Sequence, residues 1–455
     1  MGIANNRRNF LKSAAALGAG YWIATRGQAE ERKSPNERVA MASIGIGGKG
    51  TSDSNDAARH GDMVAICDAD EGRLNQAGEK RFPKAKRYTD FRKMLEEMGK
   101  SIDAVTVSTA DHTHAPAALM AMRMGKHCFC QKPLTRTIYE ARLMGQVARQ
   151  MRVATQMGNQ GTADDGLRRS AAQLRAGALG AIKEIHIWTN RPIWPQGQDR
   201  PSGEDPVPDT LHWDLWLGPA PPRPYKHKYL EGPHKDKNVY HPFVWRGWWD
   251  FGTGALGDMG CHEINMAYMG LDLRNPASVQ AVTSGHNRDS FPSWSIVTYE
   301  FAATATRPGL KLVWYDGGKK PPADLLGTDK FGASGSLIIG EKGTIGGGSR
   351  RLAGLEKEVT FPKSPGHFEE WVRALRGGEP AMSNFPDYAG PLAETVLLGN
   401  LAVWVADKIN TTLGEEKAAA GEKVEWDAER LRAKNVPGLE PLIKPTYRQG
   451  YTLDV

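Results

Sequence analysis

The stretch that most restricts how this chain folds is Gly45-Ile46-Gly47-Gly48-Lys49-Gly50, which directly follows the apolar run Val39-Ala40-Met41-Ala42-Ser43-Ile44. A buried strand that ends in G-x-G-x-x-G and opens a helix makes a phosphate cradle out of backbone. Gly45 permits the tight turn, Gly47 lets backbone N–H groups approach a pyrophosphate, and Gly50 lets helix and strand pack closely. Ile46, Gly48 and Lys49 complete the loop, and the helix N-terminus faces the negative charge. The next apolar run, Met63-Val64-Ala65-Ile66-Cys67, ends at Asp68, placed to accept hydrogen bonds from ribose hydroxyls. No arginine follows Asp68 directly to hold a 2′-phosphate, and Arg73 stands a helical turn away, so NAD is favoured over NADP.

From residue 38 to residue 158 strand and helix patterns alternate. Asp103 to Ser108 reads as a buried strand, Ala115 to Gly125 as a helix, His127 to Cys130 as a strand, Ile138 to Arg149 as a helix and Val153 to Met157 as a strand. This alternation means a doubly wound parallel sheet, an α/β Rossmann domain, with its ligand at the carboxyl ends of the strands. Ser108 and Thr109 at one strand end, and Gln131 and Lys132 at another, therefore join the candidate cofactor residues.

Beyond residue 158 the period changes. Ile182 to Trp188, Ser278 to Ser284, Ile296 to Phe301, Lys311 to Trp314 and Leu337 to Ile339 read as strands with few helices between them. The expectation is a second, α+β domain over residues 159–430 with a large, mainly antiparallel sheet, followed by a tail over 431–455. Helices are expected over Phe368 to Leu375 and Pro391 to Ile409, the latter burying one side through Leu392, Val396, Leu397, Leu401, Val405 and Ala406. Residues 188–250 hold eleven of the 28 prolines and seven of the 13 tryptophans, too long a connection to be a plain loop. Its indoles either form a satellite core or present flat faces to sugar C–H groups.

The first 29 residues stand outside the fold. Asn6-Arg7-Arg8-Asn9-Phe10-Leu11-Lys12 is followed by a mildly apolar run from Ser13 to Ala24 and by small residues up to Ala29, the pattern of a bacterial twin-arginine signal. The apolar run is too short to span a bilayer. The segment carries Arg7, Arg8, Lys12 and Arg26 and no acid, so its removal takes the formal +7 down by four charges, to about +3. That balance gives no case for nucleic acid. Four cysteines, Cys67, Cys128, Cys130 and Cys261, are too few for a disulfide framework, and no metal site is expected.

Gly252 to His262 runs from a glycine-rich turn into a helix, with Asp258 and His262 four apart on one face. Removing hydride from an alcohol needs a group that takes the hydroxyl proton, as a histidine can, and a cation that stabilises the developing alkoxide, as Lys132 can. An Asp–His pair at this spacing is also an ordinary helix-face contact.

Together the Gly45–Gly50 fingerprint, Lys132-Pro133 and the D-x-x-x-H of Asp258 and His262 resemble the Gfo/Idh/MocA oxidoreductases, in the exported branch to which Trp213 to Pro219 and Tyr240-His241-Pro242 are also similar. The resemblance implies that Lys132 bridges substrate hydroxyl and nicotinamide, that His262 is the acid/base, and that Asp258 holds substrate or orients His262. It puts His114 near the cofactor and Asn159 at the substrate pocket. Trp213, Tyr240, His241 and Arg246 are further substrate candidates. Gln131 departs from the family's usual glutamate, which removes a charge holding Lys132 in its ammonium form.

Export implies a cofactor that stays bound, since no dinucleotide pool is maintained outside the cytoplasm. The reading is therefore a periplasmic NAD-dependent oxidoreductase with tightly bound cofactor, a carbohydrate substrate, the Tat machinery as export partner and a homo-oligomeric state through its sheet. A redox-neutral glycosidase cycle, with transient C3 oxidation, elimination, hydration and reduction, is the alternative. A sugar sensor with a vestigial cofactor is disfavoured by intact Lys132 and His262.

Overall fold

β1 (Val39–Ile44) is buried along almost its whole length, as a central strand covered on both faces must be. Around it lie β2 (Gly61–Cys67), β3 (Lys86–Tyr88), β4 (Ala104–Val107), β5 (His127–Cys130) and β6 (Thr155–Met157). The computed structural model describes residues 38–325, 332–346, 357–408, 411–413 and 416–453. The expected export signal over residues 1–29 lies outside them.

The six strands are parallel and run in the order β3-β2-β1-β4-β5-β6. Strand order reverses between β1 and β4, so the crevice outside their carboxyl ends is the expected ligand position. Helices Lys49–His60, Glu71–Lys80, Phe91–Met98, Asp111–Arg123 and Ile138–Met151 make the crossovers. The last starts with a capping box: the Thr137 hydroxyl accepts from the Glu140 N–H, and the Glu140 carboxylate accepts from the Thr137 N–H.

The second sheet has ten strands. β7 (Ile182–Trp188), β8 (Ser278–Thr283), β9 (Ser295–Phe301), β10 (Leu310–Tyr315), β11 (Gly335–Gly340), β12 (Gly343–Gly346), β13 (Thr411–Leu413) and β14 (Glu416–Ala420) run in the order β12-β11-β7-β10-β9-β8-β14-β13. Only β7 and β10 pair in parallel among them. β15 (Val424–Asp427) pairs with β8 and with β16 (Arg432–Ala433). A domain boundary at residue 430 therefore cuts a hairpin, and the expected tail is part of the fold. Tyr447 donates to Glu140 (2.9 Å), and the Gly450 carbonyl accepts from Arg92 (3.1 Å), which ties residues 447–450 to the first domain.

Helix Gly390–Val405 fuses the halves. Its expected single buried side is an understatement: from Leu392 to Val403 all but Glu394 are buried, because it lies between sheet and Rossmann domain. Tyr299 of β9 donates to the Val396 carbonyl (3.1 Å), and on the other side Glu394 accepts both Nε (2.7 Å) and Nη2 (2.6 Å) of Arg142. All four cysteines are buried free thiols. No helix among the described residues is long and apolar enough to cross a membrane.

The glycine turn is set by steric contact. Gly45 has φ +81°, and a Cβ there would sit 2.6 Å from the Ser108 carbonyl group, while a Cβ at Gly50 would run into the Gly45 carbonyl oxygen. Gly50→Ala should therefore lower the unfolding free energy by roughly 1–3 kcal/mol in a urea titration and weaken dinucleotide binding in calorimetry. Unchanged affinity would remove the close-packing role given to this residue.

Candidate active site

A cavity of about 750 Å³ opens at the carboxyl ends of β1, β2, β4 and β5, bounded on its other side by the aromatic-rich segment. Gly45, Gly47, Gly48, Lys49, Asp68, Ser108, Thr109, Gln131 and Lys132 all line it. Nothing lies within 4 Å of where a Cβ on Gly48 would stand, so the backbone is bare where a phosphate has to approach. Asp68 accepts from the Ile46 N–H (2.9 Å) and the Asp70 N–H (3.0 Å), which fixes the carboxylate just past the end of β2, where a ribose is expected. Burial raises its pKa in spite of those two donors and the nearby Arg73 and His241. These residues fit a dinucleotide.

Three of the expected cofactor residues are not on the cavity wall. Ile46 packs with Ile66, Leu74 and Ala77, and contributes its N–H to Asp68. Gly50 is covered by Gly45. His114 is buried behind the wall, with Nδ1 2.9 Å from the Pro133 carbonyl and Nε2 3.1 Å from the Thr109 carbonyl, so it holds the Lys132-Pro133 turn against the β4 loop.

Lys132 Nζ donates to the Asp258 carboxylate (3.0 Å) and to the Asp258 carbonyl (2.8 Å). Arg246 Nε donates to the same carboxylate oxygen at 3.2 Å. Asp258 stands behind these two cations. Burial acts to raise its carboxyl, but the Lys132 ammonium and Arg246 guanidinium outweigh it and hold the group below its ordinary value. Arg246 itself lies over the rings of Trp245 (4.2 Å) and Phe243 (4.5 Å) and donates to the Phe243 carbonyl (2.9 Å). His262, one turn beyond Asp258 on helix Gly254–Glu263, faces the same cavity as Lys132 and Arg246.

Of the expected substrate residues, His241 and Arg246 line the cavity. Asn159 does not: it is fully buried and donates to the Cys261 carbonyl (2.7 Å), fixing the backbone just before His262. Trp213 stacks on Trp216 (4.7 Å between centroids) and donates to the Arg223 carbonyl, and buried Tyr240 bonds Arg200. Both belong to a satellite core with Trp248 and Phe251. The indole and phenyl rings that the 188–250 segment places on the cavity wall are instead Trp216, Phe243 and Trp245.

Two buried acids emerge that composition and spacing do not single out. Asp53 on helix Lys49–His60 pairs with Lys49 (2.7 Å) and accepts from Ser108 Oγ (2.8 Å) and Gln131 Nε2 (2.9 Å), joining helix, β4 loop and β5 loop. Gln131 is thus a partner of Asp53, and its Oε1 takes the Lys132 backbone N–H (3.2 Å). The charge that Gln131 does not supply to Lys132 comes from Asp258, which arrives from the second domain. The other acid, Asp111, opens helix Asp111–Arg123, lines the cavity and accepts from Thr253 Oγ1 (2.8 Å). Burial raises its carboxyl to about 7 against the pull of Arg246. Next to it, burial lowers His112 to about 4, with Nε2 3.0 Å from the Trp216 carbonyl and Nδ1 3.2 Å from that of Phe251. Among the described residues no group of three or more His, Cys, Asp or Glu is arranged to hold a metal ion.

The oxidoreductase-family model described as an NAD-binding Rossmann fold matches residues 38–159, and that family's C-terminal alpha/beta domain matches residues 186–325. The chain belongs to the Gfo/Idh/MocA oxidoreductase family. It is 33% identical over 76 residues to inositol 2-dehydrogenase of Salmonella typhimurium, covering 17% of this chain and 22% of the relative. It is 31% identical over 153 residues to a glycosyl hydrolase family 109 protein of Solibacter usitatus, covering 30% of this chain and 34% of that protein. The match thus spans 22% and 34% of these two curated relatives. The WlbA dehydrogenase of Bordetella pertussis, solved with NADH and UDP-GlcNAcA, shares the fold at a TM-score of 0.55 and 15% identity, over 83% of this chain and 100% of that one.

Two stability measurements test this geometry. Asp111 has a folded pKa raised from about 3.9 to about 7, so the stability tied to its neutral form is whole below pH 4 and is lost as pH rises through 7. Asn at this position is always neutral. The stability of Asp111→Asn relative to the parent should climb by about 1.4 kcal/mol per pH unit between roughly pH 4 and 7 and then level off. A flat difference would mean that Asp111 is ionised in the folded state. Gln131→Glu sets a second carboxylate against Asp53, and like charges in contact retain a shared proton. The pair's folded pKa is then raised, so the variant should match the parent near pH 5 and lose at least about 1.4 kcal/mol by pH 8. Equal stability at both pH values would show that Lys49 neutralises the pair.

Proposed function

We propose that this protein is an NAD-dependent oxidoreductase acting on a hydroxyl group of a sugar, polyol or glycoside. The observation that carries the reading is the joint presence of Lys132, Arg246 and His262 on one cavity wall, with Asp258 bonding both cations, beside a bare glycine loop. NAD, held by the Gly45–Gly50 backbone and Asp68, supplies the hydride acceptor when bound. Lys132, oriented by two bonds to Asp258, hydrogen-bonds the substrate hydroxyl and stabilises negative charge as it develops on that oxygen. His262 takes the hydroxyl proton. Trp216, Trp245 and the rim residue Phe243 offer flat apolar faces to sugar C–H bonds. An inositol dehydrogenase among the relatives and a fold neighbour solved with NADH and a nucleotide sugar support a carbohydrate substrate.

The twin-arginine pattern at residues 6–12 supports export of the folded chain to the periplasm by the Tat machinery, and the family resemblance supports a homo-oligomer assembled through the large sheet. A dinucleotide that dissociated there would be lost by dilution, so the proposal includes nanomolar binding or tighter, about 12 kcal/mol. The bridge between residues 210–212 and the end of β2 supports retention: the Glu71 N–H donates to the Thr210 carbonyl (2.7 Å), the His212 N–H to the Ala69 carbonyl (2.9 Å), and His241 meets Asp70 (3.1 Å).

A bound cofactor must be restored within each cycle, and a redox-neutral glycosidase cycle does so. Asp111, a second proton-holding group on the same wall, favours this second reading, as does the resemblance to a glycosyl hydrolase family 109 protein.

The protein isolated without added cofactor should carry a nicotinamide absorbance. Lys132→Ala and His262→Ala should each cut turnover by about 10²–10⁴-fold while cofactor content stays within twofold. Isolation of an empty protein indifferent to added NAD, or full activity in either variant, would refute the assignment.

A further inference from the structure

Every residue from Ser108 to Thr113 lines the cavity, and Asp111 is the one acid among them. Its Oδ2 accepts from Thr253 Oγ1 at 2.8 Å, and Thr253 immediately precedes helix Gly254–Glu263, which bears Asp258 and His262. One hydrogen bond therefore ties the Asp111 carboxyl to the element that carries the expected base. Among the described residues, Thr253 is the only group that hydrogen-bonds this carboxyl. The other proton-bearing groups nearby are engaged. The buried Tyr240 hydroxyl accepts from Arg200 (3.1 Å), His241 Nε2 faces Asp70 at the ribose end (3.1 Å), and both ring nitrogens of His112 face backbone carbonyls.

We propose that Asp111 is the acid that protonates the departing glycosidic oxygen when a 3-keto glycoside is cleaved in this cavity, an inference that rests on the second reading above. The ketone acidifies the neighbouring C2–H bond. That bond breaks with its proton passing to His262, which has by then released the hydroxyl proton of the oxidation step to solvent, its electron pair forms a C1–C2 double bond, and the C1–O bond breaks with its pair on the leaving oxygen. The leaving oxygen takes the proton of the Asp111 carboxylic acid. Water then adds to C1, giving one proton back to the Asp111 carboxylate, while C2 recovers its proton from His262. The sum is hydrolysis of one glycosidic bond with no net redox change and with both side chains returned to their starting states.

The surroundings of Asp111 suit an acid that keeps its proton at neutral pH. Burial raises the carboxyl and the Asp258 carboxylate pushes the same way, while the Arg246 guanidinium, the Thr253 hydroxyl and the Lys132 ammonium pull it down. The outcome is a group near 7, the range in which a general acid is both protonated and able to let go.

The test starts from 3-keto substrates and so bypasses the first oxidation. The holoprotein and Asp111→Asn are given the 3-keto derivatives of 2,4-dinitrophenyl and phenyl glucosides and N-acetylglucosaminides, in both anomers, and phenol release is followed. Dinitrophenolate departs without a proton and phenolate needs one, so the loss in Asp111→Asn should be about 100-fold greater or more for the phenyl substrate. C2–H exchange into D2O, read by NMR, should persist in the variant because His262 performs it. Asp111→Glu, which keeps a carboxylic acid, should recover at least about tenfold of the phenyl rate. Equal losses on both leaving groups, or loss of C2 exchange along with cleavage, would overturn the role of Asp111. A parent protein that releases neither phenol from any of these substrates would instead overturn the glycosidase reading beneath it.

Discussion

The shared carboxylate of Asp258 is the contact on which the site depends. It is bonded by Lys132 from the loop after β5 and by Arg246 from the aromatic segment, while Asp258 itself rides on helix Gly254–Glu263. Three separate parts of the chain thus meet at one oxygen atom. Two cations against one buried anion leave a net positive charge at this contact, which suits the alkoxide of the proposed reaction. Removing the carboxylate would leave two cations close together in a largely buried place, which costs far more than the pair contributes when intact. The Lys132–Asp258–Arg246 arrangement therefore specifies geometry first, and its contribution to stability is secondary.

Two further sets of contacts keep that geometry fixed. Asp53 gathers Lys49, Ser108 and Gln131, so the helix under the glycine loop, the β4 loop and the β5 loop are tied to one carboxylate. Asn159, buried beneath the cavity, fixes the Cys261 carbonyl and with it the turn that presents His262. Both are polar side chains working inside the protein. Neither touches the cavity space where a sugar would lie, yet each controls the direction of a residue that does.

Much of the fold was legible because it follows from local rules. The glycine spacing after Val39–Ile44, the run of alternating strands and helices, and the change of period beyond residue 158 each need only short-range steric and hydrophobic patterns. Lys132, Asp258 and His262 could be picked out because strand ends and an i, i+4 spacing already narrow the choice. Asp53 and Asp111 could not: the first reads as an ordinary helix acid four residues from a lysine, the second as an acid in a first helical turn, and their roles come from partners 55 to 142 residues away. A missed signal was available for Asp111, which stands four residues beyond the end of the central parallel strand β4. Trp213 and Tyr240, expected as sugar contacts, lie off the cavity wall for a related reason. Aromatic richness marks the segment, but which rings face the cavity is decided by how Trp213 stacks on Trp216 and how Tyr240 meets Trp248. Asn159 failed as a pocket residue because a turn asparagine can point inward as well as outward.

Asp111 and Asp258 illustrate how one cavity gives two aspartates opposite states. Both are buried, and burial alone would push both toward the neutral acid. Asp258 meets an ammonium and a guanidinium directly and is held as the anion. Asp111 meets a single hydroxyl directly and feels the same cations only at longer range, so it keeps its proton near neutral pH. The like charge of Asp258 widens this gap, since an ionised neighbour discourages a second ionisation. A pair of acids separated in this way divides the labour of a site: one holds charge and direction, the other holds a transferable proton. A simple alcohol oxidation uses one proton acceptor, the role proposed for His262. The proton held by Asp111 is the one the proposed glycosidase cycle would use, and it traces to the direct partner of that carboxyl being a hydroxyl rather than a cation.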